Sequence, residues 1–81
     1  MAKPSPSHAG SPELLALGHA IRAARLALGW SQERLAEEAG VDRSYMGGIE
    51  RGEHNLTVVS LVRISAALDL SVGDLFARAQ I

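Results

Sequence analysis

The chain has 81 residues, 47% hydrophobic and 4% aromatic, with 8 Lys and Arg against 9 Asp and Glu and a formal charge of −1 at pH 7. This length allows one small domain that buries about 60% of its unfolded surface, around a core of Leu, Ile, Val and Ala. No cysteine is present, which excludes disulfides and Cys-based metal sites, and no apolar run approaches the ~18 residues of a membrane span or forms the core of a signal peptide.

Residues 1–11, MAKPSPSHAGS, combine Pro, Ser and Gly with almost nothing apolar and are expected to form a flexible tail. Lys3 is the tail's cation, a disordered terminus being a simpler reading than a basic arm. Residues 12–81 form one helical domain. Ser11 can cap a first helix that opens with Pro at its first position. Leu14, Leu17, Ile21, Ala24 and Leu28 give that helix one apolar face, and Gly29 closes it. His19 has no partner at ligand spacing and reads as a surface histidine. Trp30 falls at the junction with the next helix. Partial burial there is the simpler reading, against stacking on a nucleobase.

Residues 31–52, SQERLAEEAGVDRSYMGGIERG, organise the chain as two short helices around a tight turn. Ser31 is the N-cap, and Glu33 complements the helix dipole. Leu35, Ala36 and Ala39 make an apolar stripe, Gly40 stops the helix, and Val41 plugs the turn. Asp42 caps the next helix, whose inward side carries Met46 and Ile49. At about 100° per residue, Arg43, Ser44, Gly47 and Gly48 fall opposite. Two adjacent glycines cost roughly 1 kcal/mol each relative to alanine. A bare face of this kind suits close approach of a partner to the backbone. An Arg and a Ser at its N-terminal end suit a DNA groove, since Arg can donate twice to guanine O6 and N7.

After Gly52 the chain loops through His54 and Asn55 to Thr57, the cap of a fourth helix over 58–68. Leu61, Ile64, Ser65 and Leu68 face its core. Val59, Val62 and Ala66 widen the apolar arc past the ~100° a one-sided helix needs. That excess reads as a partner surface, unless Leu14 and Leu15 cover it. Ser71 and Asp74 make a variant capping box for a fifth helix bearing Val72, Leu75 and Phe76. The expected fold class is all-α, five helices with no strand. Leu17, Ile21, Leu35, Ala36, Met46, Ile49, Leu61, Ile64 and Leu68 should share one core.

The stretch resembles the phage-repressor and Cro type of helix-turn-helix, the xenobiotic-response-element family. Gln32, Ala36, Gly40, Val41, Met46, Ile49, Glu50 and Gly52 stand at that family's spacing, and the resemblance runs from about Gly18 to Phe76. DRSYMGGIERGEHNLT, residues 42–57, is similar to restriction–modification controller proteins. The resemblance implies a five-helix lambda-repressor-like DNA-binding domain. It implies base reading by Arg43, Ser44 and Tyr45, although Tyr45 also lies at the edge of the core face. It implies phosphate contacts from Ser31, Gln32, Arg51 and Asn55, each of which also suits a cap or a polar surface. Arg25 and Glu50 match a structural ion pair between the first and third helices.

The expected function is a homodimeric, sequence-specific regulator of transcription that acts on a (pseudo)palindromic operator in double-stranded DNA and dimerises through some of Val59, Val62, Leu70 and Phe76. An autoregulatory restriction–modification controller is the narrower reading. An antitoxin-type repressor, or a helical protein-interaction module that keeps the fold without binding DNA, are the alternatives. The acidic balance and the Gly47–Gly48 face favour the last. No enzyme chemistry, cofactor, metal or small-molecule ligand is expected, and the setting is cytoplasmic, nucleoid-associated on the operator. Few phosphate-neutralising cations predict modest non-specific affinity.

Overall fold

The computed structural model describes residues 10–81. Five helices follow one another: α1 (Pro12–Ala27), α2 (Gln32–Ala39), α3 (Arg43–Glu50), α4 (Val58–Ala67) and α5 (Val72–Ala79). No strand occurs among the described residues.

Every helix starts on a side-chain cap. Ser11, Ser31, Thr57 and Ser71 accept from the backbone N–H three residues on, and Asp42 accepts from both Ser44 and Tyr45. These bonds satisfy N–H groups that have no partner inside the helix. Ser71 and Asp74 complete a reciprocal capping box. The helices also stop alike. After α2, Gly40 (φ 70°) donates to the Glu37 carbonyl and Val41 to that of Ala36, at 3.2 and 3.0 Å. This is the Schellman arrangement, in which a left-handed residue reverses the chain. Asp69 and Gln80 take the same conformation after α4 and α5, where no glycine marks the stop.

The first helix packs on α5 and α3, α2 packs on α3 and α4, and α4 packs on α5. Ile21, Leu35, Met46, Ile64 and Leu75, one from each helix, are the largest fully buried side chains. All nine core positions expected from apolar spacing are buried, joined by Ala20, Ala24, Ala39 and Leu75.

Some expectations need correction. Leu28 does not extend the α1 stripe inward: the helix ends at Ala27, and Leu28 is 46% exposed as the cap residue. Leu15 does not cover α4. It lies against Gly52, so Val59 and Val62 stay open to solvent. Within the expected tail, the Gly10 N–H donates to the Gly52 carbonyl at 2.7 Å and Ser11 caps α1. Residues 1–9, Lys3 among them, lie outside the described residues.

Two caps carry a pH dependence. The hydroxyl of Ser44 and the N–H groups of Tyr45 and Ser44 hold the Asp42 carboxyl below its ordinary value. The backbone N–H and hydroxyl of Ser71 do the same for Asp74. A carboxyl depressed on folding stabilises the fold fully above its unfolded value, about 3.9. That contribution is lost as pH falls through the lower folded value. Acid melting curves should therefore fall more steeply for the natural chain than for an Asp42→Asn, Asp74→Asn variant, whose amides cap without titrating. Parallel acid limbs would show that neither charge contributes.

Candidate nucleic-acid interface

The candidate interface centres on α3, and a buried polar network sets that helix in place. Arg25 of α1 donates from Nε to Glu50 Oε2 at 2.7 Å and from Nη2 to Oε1 at 3.0 Å. Its Nη1 donates to the Trp30 carbonyl at 2.8 Å. Gln32 Nε2 adds a bond to Glu50 Oε1 at 2.9 Å. Three helices thus meet at one carboxylate, whose side chain is 2% exposed. The ring of half-buried Trp30 lies beneath the Arg34 guanidinium, 4.7 Å from the ring centroid. That contact occupies one ring face and braces the start of α2.

Arg43 and Ser44 are exposed at the N-terminal end of α3. Arg43 Nη1 reaches back to Glu33 Oε2 on α2 at 3.3 Å. The Ser44 hydroxyl donates to Asp42 Oδ2. Tyr45 is half-buried; its ring sits 5.3 Å from that of His54, tilted by 40°, and its hydroxyl donates to the Asn55 carbonyl at 3.5 Å. Asn55 is exposed, as is Ser31, whose oxygen accepts from the Arg34 N–H at 3.0 Å.

The two α3 glycines do not form the open face expected of them. Both are buried. A Cβ on Gly47 would lie 3.1 Å from Arg51 Nη1 and 3.6 Å from Gln32 Oε1. A Cβ on Gly48 would run into the His54 ring. The missing side chains make room for neighbours that lie over the helix backbone. Gln32 and Arg51 are brought together over Gly47, and Tyr45, His54 and Asn55 form a second group. Spacing alone left His54 unassigned, because the loop path that lays it over α3 has no periodic signature.

At the end of α3, Arg51 grips Glu53 in a two-bond pair, Nε to Oε2 at 2.8 Å and Nη2 to Oε1 at 3.2 Å. The hydrogen bond from Arg51 holds the Glu53 carboxyl below its ordinary value, and the same bond raises Arg51. No group of three or more potential metal ligands occurs among the described residues. No helix there is long and apolar enough to cross a membrane.

Two short helices at a glycine turn, the second exposing Arg and Ser at its N-terminal end, define a helix-turn-helix domain. The chain belongs to the helix-turn-helix family HTH_3, whose model matches residues 21–75. It is 40% identical over 62 residues to the control protein C.SmaI of Serratia marcescens, spanning 76% of this chain and 74% of that one. The structure of the restriction–modification controller protein C.AhdI from Aeromonas hydrophila is similar, with a TM-score of 0.76 and 44% identity over 78% of this chain and 96% of that one. The biofilm master regulator SinR, solved in complex with DNA, has a TM-score of 0.70 and 41% identity over 74% of this chain and 97% of that one.

Proposed function

We propose that this chain is a sequence-specific regulator of transcription that binds double-stranded DNA as a homodimer. The observation that carries the reading is the seating of α3. The Arg25–Glu50–Gln32 network anchors its buried side, while Arg43 and Ser44 stand free of the core at its leading end. Arg43, Ser44 and Tyr45 read base edges or their immediate surroundings. Ser31, Gln32, Arg51 and Asn55 lie along the phosphates, Gln32 through what its bond to Glu50 leaves free. With no side chain on Gly47 or Gly48, direct readout is short, and DNA shape takes a larger share of specificity. The likeness to C.SmaI and C.AhdI supports the narrower reading of a restriction–modification controller.

One recognition helix offers few base contacts, and a two-fold dimer doubles them. Val59, Val62 and Phe76 are 60%, 49% and 36% exposed, and Leu70 is half-buried. These residues are the proposed dimer surface, which places half-sites about 34 Å apart or a multiple of that. Sedimentation at micromolar concentration, with and without DNA, should show a dimer, and Val62→Glu should shift it to monomer. A monomer under both conditions contradicts this assembly.

The function itself is tested by selecting bound duplexes from a random pool. Recovery of a two-fold repeated half-site supports it. No enrichment, and no salt-dependent retention on DNA, would leave the protein-interaction module as the reading.

A further inference from the structure

Each arginine of the helix-turn-helix stretch already has a carboxylate partner: Arg34 with Glu38, Arg43 with Glu33 and Arg51 with Glu53. The pairs are unequal. Arg43 makes one bond of 3.3 Å to Glu33. Arg51 makes two bonds to Glu53, the shorter 2.8 Å, and turns its remaining Nη1 toward Gly47. A carboxylate that accepts two parallel N–H groups from a guanidinium occupies the positions a phosphate would take. DNA therefore meets Arg51 with its two-bond edge filled.

We propose that Glu53 is an intramolecular competitor for the DNA backbone, holding Arg51 back from phosphate and lowering the sequence-independent part of binding. This rests on the reading of the chain as a DNA-binding protein. The chemistry is an exchange of one oxyanion for another at the Arg51 guanidinium, with no proton transferred. Phosphate contacts supply essentially all of non-specific affinity, so a competitor at Arg51 acts chiefly there. Arg43, held by a single longer bond, is released to a guanine at smaller cost. The device keeps a chain of net charge −1 off unrelated DNA, leaving its binding to depend on the base contacts of α3.

The test is a cycle of Glu53→Gln, Arg51→Ala and the double variant. Each is titrated against a labelled duplex of arbitrary sequence and against the duplex recovered by selection. Glutamine keeps the size of the side chain and removes the charge. The Glu53 backbone N–H bond to the Gly48 carbonyl at 2.9 Å is untouched, and circular dichroism checks the fold. Glu53→Gln should tighten binding to the arbitrary duplex by about two- to fivefold per subunit, the range of one exposed ion pair. In the Arg51→Ala background the same change should do nothing.

Weaker binding by Glu53→Gln would show that Glu53 orients Arg51 for phosphate, and would overturn the proposal. Unchanged binding overturns it too. An equal gain with and without Arg51 means that Glu53 merely repels DNA through space, which also overturns it. If the natural chain binds neither duplex, the DNA-binding reading fails, and the competitor falls with it.

Discussion

Arg25→Ala is expected to lower the stability of the fold by about 3 kcal/mol, whereas Arg22→Ala, three residues earlier and exposed, leaves it nearly unchanged. The difference is what each removal abandons. Without Arg25, the Glu50 carboxylate keeps only the bond from Gln32, and the Trp30 carbonyl loses the guanidinium bond. A buried anion left this way has neither water nor a countercharge. Replacing both partners, as in Arg25→Met with Glu50→Leu, should cost less than Arg25→Ala alone, because no charge remains to be solvated. Urea midpoints of the three variants and the natural chain measure this. Equal midpoints for Arg25→Ala and Arg22→Ala would reduce the pair to a surface feature.

Gly18→Ala should be damaging for a steric reason. A Cβ at Gly18 would stand 2.6 Å from the Ile49 carbonyl oxygen and 2.7 Å from that of Glu50. Both obstacles are backbone, at the C-terminal end of α3, and no side-chain rotation can relieve them. Either the fold loses about 1–3 kcal/mol or more, as overpacked cores do, or α3 moves off α1 and reads DNA from a shifted position. Gly73→Ala is the control. Its Cβ would meet only the Ser71 hydroxyl oxygen, at 3.7 Å, so better helix propensity should leave stability equal or raise it by up to about 1 kcal/mol. The denaturation midpoint should fall for Gly18→Ala and hold or rise for Gly73→Ala, and the operator affinity of Gly18→Ala should fall. An unchanged midpoint and affinity would contradict the close α1–α3 seat.

What could be read from the sequence was mainly local. The caps at Ser11, Ser31, Asp42, Thr57 and Ser71 are interactions between residues two or three apart, and the residue order displays them directly. Core positions such as Ile21, Leu35 and Ile64 follow from helical periodicity. The stops at Asp69 and Gln80 do not, because neither residue announces a left-handed turn. Arg25 and Glu50 are 25 positions apart, so only the family resemblance pointed to their pairing. Gly47 and Gly48 show where periodicity ends. It places them on the outer side of α3, but Arg51 and His54 cover them from beyond the helix, and no repeat encodes that path. The carboxylate partners of Arg43 and Arg51 were hidden likewise, since each depends on where a flexible side chain comes to rest.

In the proposed function the leading end of α3 reads bases, with Arg43 as the chief reader. Ser44 is short and bonded to its own cap, and Gly47 and Gly48 have nothing to extend. The measurement is a titration of Arg43→Ala, beside Arg51→Ala and the natural chain, against the selected duplex and its single-base variants at two salt concentrations. Arg43→Ala should lose about 1–3 kcal/mol on the selected duplex and flatten discrimination at one or two positions per half-site. Arg51→Ala should weaken all sequences alike and lower the salt slope by about one per subunit. If Arg43→Ala instead loses affinity uniformly and keeps every base preference, Arg43 is a backbone anchor and the reading surface lies elsewhere.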